Sequence, residues 1–77
     1  MKVTIVSPEK TLFEGEAEAV KLPGEYGRFE VLKGHAPIIS TLTHGTVSCV
    51  GAEPFETAVS GGFVEVAADN VSVCVEV

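Results

Sequence analysis

The sequence has 77 residues, enough for one domain spanning residues 1–77 and too few for a second. Folding at this length buries only about 60–65% of the extended chain's surface, so a deep catalytic pocket would consume scarce core. A formal net charge of -6, from 11 acidic and 5 basic residues, argues against nucleic acid as a partner, while 45% hydrophobic and 21% charged residues make a globular composition.

Strand-like alternation recurs along the chain and helical periodicity is nearly absent. At the start, Val3 and Ile5 oppose Lys2 and Thr4. This reads as a strand, not as the h-region of a secretory signal, and no arginine-rich transit pattern replaces it. No apolar run approaches the ~18 residues of a membrane span. The expectation is a cytoplasmic protein without direct membrane insertion. Ser7-Pro8-Glu9-Lys10 marks the first turn.

From Phe13 the small or apolar set is Phe13, Gly15, Ala17 and Ala19, against Glu14, Glu16 and Glu18. Val20 and Leu22 then carry the apolar face, with Lys21 opposed. One face cannot hold both sets, and the shift predicts a β-bulge near Glu18–Ala19.

Turns are expected at Pro23-Gly24, His44-Gly45, Gly51-Ala52, Ser60-Gly61-Gly62 and Asp69-Asn70. Between them, Arg28 to Leu32 reads as a short strand. So does Glu53 to Val59, where Pro54 and β-branched residues oppose a helix. Val64 and Val66 oppose Phe63 and Glu65, and Val71, Val73, Val75 and Val77 oppose Ser72, Cys74 and Glu76. Short strands with turns about every 8–12 residues indicate an all-β, antiparallel sandwich or barrel.

Candidate chemistry is sparse. His35, His44, Cys49 and Cys74 have neither Cys-x-x-Cys nor His-x-x-x-His spacing, so no metal site is expected. The two cysteines form no disulfide framework and suit a reducing compartment. Glu14, Glu16 and Glu18 read as a solvated strand edge. Ser40, Ser48, Ser60 and Ser72 lack a nucleophile elbow, and no Gly-Lys-Ser/Thr follows Ser60-Gly61-Gly62. Neither a catalyst nor a cofactor is implied.

The segment Leu22 to Pro37 concentrates the remaining information. Gly24, Gly27 and Gly34 permit tight turns, while Pro23 and Pro37 restrict the backbone around them. Tyr26 and Arg28 are residue types enriched at protein interfaces.

Leu22-Pro23-Gly24, Gly27-Arg28-Phe29, Val31-Leu32 and Gly34-His35-Ala36-Pro37 together resemble the fingerprint of the epsilon subunit of F-type rotary ATP synthases, called delta in mitochondria. Ser7-Pro8-Glu9 with Leu12-Phe13-Glu14-Gly15-Glu16-Ala17 resembles the family's opening strands. Gly61-Gly62-Phe63-Val64-Glu65-Val66 and Asn70-Val71-Ser72-Val73 resemble its closing hairpin. Glu30 stands where the family usually has glycine, and Lys33 where it usually has proline. The likeness extends in order over essentially the whole chain.

That resemblance implies a β-sandwich of about ten short strands in the central stalk of a proton-translocating F-type ATP synthase. The domain would join the gamma subunit to the membrane c-ring, coupling ion flow to ATP synthesis made elsewhere, in the alpha/beta head. It would lie peripherally on the cytoplasmic face of the bacterial inner membrane. Glu25, Tyr26, Arg28 and Glu30 would meet the ring, and Gly34, His35, Ala36 and Pro37 would shape the neighbouring turn, with His35 structural. An outward apolar set of Val6, Leu42, Val50 and Phe63 is the expected gamma face. Many family members continue into a C-terminal helical hairpin, and these residues end at Val77, so inhibition or ATP binding by such helices is not expected of them.

Two other readings compete. A free-standing ligand-binding β-sandwich, such as a carbohydrate module, would need an aromatic platform, and Tyr26 is the lone tyrosine in a chain without tryptophan. A small metal enzyme would have to use His35 and His44.

Overall fold

In the computed structural model, which describes residues 1–77, the alternation becomes nine strands and no helix. They are β1 (Lys2–Val6), β2 (Thr11–Glu16), β3 (Ala19–Gly24), β4 (Gly27–Leu32), β5 (Ile38–Leu42), β6 (Gly45–Val50), β7 (Phe55–Val59), β8 (Gly61–Ala67) and β9 (Asn70–Glu76). The fold is all-β, a nearly closed sandwich. One layer runs β2-β1-β9-β8-β5 and the other β4-β3-β6-β7. A single residue pair, Gly24 with Leu42, links β3 to β5 and so joins the layers.

Every neighbouring pair is antiparallel except β1 with β9, where Val3 faces Val71 and Ile5 faces Val73 in parallel register. A parallel pair needs a long crossover. Here the first and last strands meet, so the rest of the domain supplies it.

Inward-pointing Val3, Ile5, Val64, Val71 and Val73 from the first layer and Val20, Leu22, Val31 and Val47 from the second are almost wholly buried. β-Branched side chains pack well on a pleated surface, and burying each contributes about 1.5–3 kcal/mol. Phe13 of β2 stacks on Phe55 of β7 with ring centroids 4.9 Å apart, so the two layers also touch along their far edges. Glu14 and Glu16 on β2, Arg28 and Glu30 on β4 and Glu56 on β7 are exposed and charge strands that pair on one side only. Such residues discourage edge-to-edge pairing.

The phase change in the second quarter of the chain has a different origin from the one expected. There is no bulge at Glu18–Ala19. The strand ends at Glu16, and the Ala17 N–H donates to the Met1 carbonyl at 3.0 Å while the Glu18 N–H donates to the Val50 carbonyl at 2.7 Å. Two consecutive residues thus bond to different layers, and the chain crosses from one to the other. The irregularity in register falls instead on β1, between Ile5 and Val6.

Three expected turns are displaced, and at Ser60-Gly61-Gly62 both glycines lie within β8, so that Ser60 alone separates β7 from β8. Pro23 and Gly24 are buried in β3, and the reversal is made by Glu25-Tyr26. Asp69 turns together with Ala68, whose φ is 54°. Leu42 is only 4% exposed, so its assignment to an outward apolar set is corrected. It points inward with Ile38 and Ser40, which face Val66 and Val64 across β8.

Candidate protein-docking surfaces

The residues expected to face a ring are strung along one strand. Glu25 and Tyr26 form the two-residue tip between β3 and β4, closed by the Gly24–Gly27 pair, and Tyr26 is 99% exposed. Gly27 adopts a φ of 133°, a conformation that side-chain-bearing residues rarely take. Arg28 and Glu30 then project from the outer side of β4, opposite Pro23 and Lys21 of β3. Past the end of β4, Lys33-Gly34 turn the chain into the Gly34–Pro37 loop. There the His35 N–H donates to the Leu32 carbonyl at 3.0 Å, and its Nδ1 lies 2.7 Å from the Ala36 carbonyl oxygen.

Tip and loop are therefore separated by the length of β4, about 17 Å at ~3.4 Å per residue. Since β4 pairs only with β3, its other side is a free edge. The eight residues do not converge on a pocket. They line a ridge along one border of the domain.

On this ridge Arg28 is anchored: its Nη1 donates to the Thr46 carbonyl on β6 at 2.7 Å. Beside it lies an open depression of about 600 Å³, bordered by Lys21, Arg28, Ser48, Phe55 and Glu56. The Ser48 hydroxyl donates to Glu56 Oε2 at 3.2 Å, on the exposed surface and with no histidine among the bordering residues. Lys21, Arg28, Glu30 and Glu56 alternate in sign, which suits ion pairing with another charged surface better than capture of a small anion.

The expected gamma set divides. Val6 and Phe63 share one cross-strand row on the outer face of the five-stranded layer, because Val6 pairs with Cys74 and Cys74 with Phe63. Phe63 is 49% exposed and Ile39, one row away beside Glu65, is 75% exposed. A shallow groove of about 360 Å³ bordered by Val6, Pro8, Phe63 and Cys74 runs through this row. Val50 is also exposed, but it extends from β6 next to Ala19 and Leu32, on the outer face of the opposite layer. No single partner surface covers Val50 together with Phe63 without wrapping the sandwich.

Cys74 and Ile39 were missing from the sequence-based set. The alternation of β9 already placed Cys74 outward. What joins it to Val6 is the parallel pairing of chain ends, which alternation alone does not encode. Cys49, by contrast, is buried, and desolvation pushes its thiol pKa up from 9.0.

Comparison with known proteins is consistent across sequence and fold. Residues 1–77 match the family described as ATP synthase, Delta/Epsilon chain, beta-sandwich domain. The ATP synthase epsilon chain of Leptospira interrogans is 38% identical over 74 residues, covering 95% of this chain and 58% of the relative. That of Bordetella avium is 44% identical over 75 residues, covering 95% and 53%. The chain thus spans a little over half the length of these relatives.

Among solved structures, a chain from the central stalk/c-ring of the Tetrahymena thermophila mitochondrial ATP synthase superposes with a TM-score of 0.83 at 16% identity, over 99% of this chain and 63% of that one. A chain from the Euglena gracilis mitochondrial ATP synthase OSCP/F1/c-ring assembly gives 0.86 at 21% identity, over 95% and 48%. These two likenesses establish the fold. With a family match that extends over every residue, the chain belongs to the β-sandwich domain family of ATP synthase delta/epsilon chains.

Proposed function

We propose that this chain, folded as one unit over residues 1–77, is a non-catalytic rotor subunit of a proton-translocating F-type ATP synthase. It holds the gamma subunit to the c-ring so that ion flow is coupled to ATP synthesis. It sits peripherally at the cytoplasmic face of the bacterial inner membrane, and it needs no cofactor. The family match over all 77 residues carries this reading.

The physical design agrees with it. A joint that transmits torque must be stiff, and two valine-rich layers bonded by 38 backbone hydrogen bonds within their strands provide a stiff body without a helix or a long loop. In this reading the β4 ridge, with Glu25, Tyr26, Arg28, Glu30 and the Gly34–Pro37 loop, rests on the ring. Val6 and Phe63 face gamma. The acidic Glu25 and Glu30 pair with basic groups on the ring's polar loops.

Co-purification tests the proposal. The tagged chain expressed in its own cell should bring down a gamma subunit and c-ring in fixed stoichiometry. Recovery of the chain alone and monodisperse from native extract would overturn it in favour of a free-standing binding module.

A further inference from the structure

The outer face of the five-stranded layer carries a charge pattern that identifies the chemistry of what binds it. Its apolar row, Val6–Cys74–Phe63, continues diagonally to Ile39. The register sets acidic side chains on both sides of that row. Glu65 pairs with Ser72 and Ile39 on one side, and Glu76 pairs with Gly61 on the other. Glu14, opposite Thr4, extends the acidic border to β2. Glu14, Glu65 and Glu76 are all exposed. Apart from the N-terminal ammonium, which lies 3.4 Å from Glu16, the cations of this layer are Lys2, at the far end of β1 opposite Glu16, and Lys10, in the turn just before Thr11, the partner of Val6. Three of the five basic residues, Lys21, Arg28 and Lys33, lie on or beside β3 and β4 instead.

The opposite outer face also exposes Val50 and Leu32, yet Lys21, Glu30 and Lys33 of both signs surround them. On the Phe63 face carboxylates flank the apolar centre on both sides, Glu65 and Glu14 on one and Glu76 on the other, while Lys10 stands in the turn beyond Val6 and Lys2 at the far end of β1.

From this pattern we infer that the Phe63 face receives a polypeptide surface with two or three apolar side chains framed by lysine or arginine, and that Glu65 and Glu76 select it. The row crosses three strands, about 10 Å at ~4.8 Å between strands. That width matches one helix or one hairpin of the partner. Val6 and Phe63 supply burial, while the carboxylates steer approach and reject acidic surfaces. The inference rests on the reading that this face docks on the gamma subunit, and adds to it the recognition chemistry.

The test measures binding of the chain to the gamma subunit of the same organism's ATP synthase as salt rises from about 50 to 500 mM, across which screening shortens from roughly 14 to 4 Å. The E65K/E76K double variant is compared with E18K/E53K, which changes net charge equally away from this face. E65K/E76K is expected to weaken association at low salt by about 10-fold or more, mainly through a slower on-rate, with the loss shrinking at high salt. E18K/E53K should bind within about 2-fold of wild type, and circular dichroism verifies that both fold. Binding that E65K/E76K leaves unchanged, or that both doubles weaken equally, overturns the inference while leaving the gamma reading in place. Absence of wild-type binding to gamma overturns the gamma reading itself, and this inference with it.

Discussion

Gly61 and Gly62 are adjacent, and the structure assigns them opposite tolerance to a single methyl group. Gly62 has a φ of 142°, and a Cβ built there collides with the Cys74 carbonyl oxygen and lies 2.9 Å from Val75 Cα. Both contacts are backbone of β9, which cannot swing aside as a side-chain end could. The strained φ costs about 1–3 kcal/mol. Displacing packed backbone costs a similar ~1–3 kcal/mol. Gly62→Ala should therefore destabilise by about 2–6 kcal/mol. A domain of 77 residues has about 4–12 kcal/mol in total, so this variant is marginal or unfolded.

At Gly61 the nearest atom to the new methyl is the Leu42 carbonyl oxygen at 3.7 Å, an ordinary contact, and φ is not positive. Gly61→Ala also restricts the unfolded chain, which offsets any small cost, and its effect should stay within about 1 kcal/mol. At about 4–8 °C per kcal/mol, the midpoints of the two variants should differ by roughly 10–50 °C. Far-UV circular dichroism is the appropriate probe, since tryptophan is absent and the sole tyrosine, Tyr26, is already 99% exposed. Melting curves that coincide for the two variants would refute the placement of Gly62 against β9.

Other perturbations test other parts of the molecule. Leu22→Ala empties a fully buried position and should cost about 2–5 kcal/mol in urea titrations; a loss under 1 kcal/mol would mean that the core does not close over β3. Charge reversal at both Glu25 and Glu30 should loosen c-ring attachment in a salt-dependent way, read as subunit retention in the purified complex, and unaltered retention at low salt would sink the ridge assignment. Iodoacetamide should modify Cys74 in the folded chain well before buried Cys49, with both reacting in urea, and equal native rates would contradict the burial of Cys49. The raised pKa of Cys49 makes the folded state hold its proton longer than the unfolded state does. Its contribution is therefore intact below pH ~9 and lost as pH rises beyond, so the urea midpoint should fall at alkaline pH, and less steeply in Cys49→Val.

How far each reading could go from sequence depends on the kind of pattern behind it. Where one phase of a strand is uniformly apolar, alternation alone assigned the faces correctly. Val64 and Val66 are buried against exposed Phe63 and Glu65, and Val71, Val73 and Val75 are buried against exposed Ser72 and Glu76. In β5, Ile-Ile-Ser-Thr-Leu puts an apolar residue on each face, and the wrong phase for Leu42 was equally consistent with the pattern. The Glu18–Ala19 phase change was visible in the residues, but a bulge and a layer crossing leave the same trace. Only hydrogen bonding to two different layers distinguishes them.

The sequence by itself determined the all-β class, the strand-and-turn spacing, and the ordered motifs from Ser7 to Val73 that carry the family likeness. These are local properties, written in period-two alternation and in the placement of glycine and proline. Which side of the domain each outward residue occupies was decided by tertiary structure alone. Alternation separates inside from outside within a strand, yet a sandwich has two outsides. Val50 and Phe63 are both outward and lie on opposite ones. Val6 and Cys74, sixty-eight positions apart in the sequence, become neighbours because the first and last strands pair in parallel. Nothing local encodes that pairing. It arises because both strands must bury their valines in one core, and the Phe63 face with its acidic border exists only once they do.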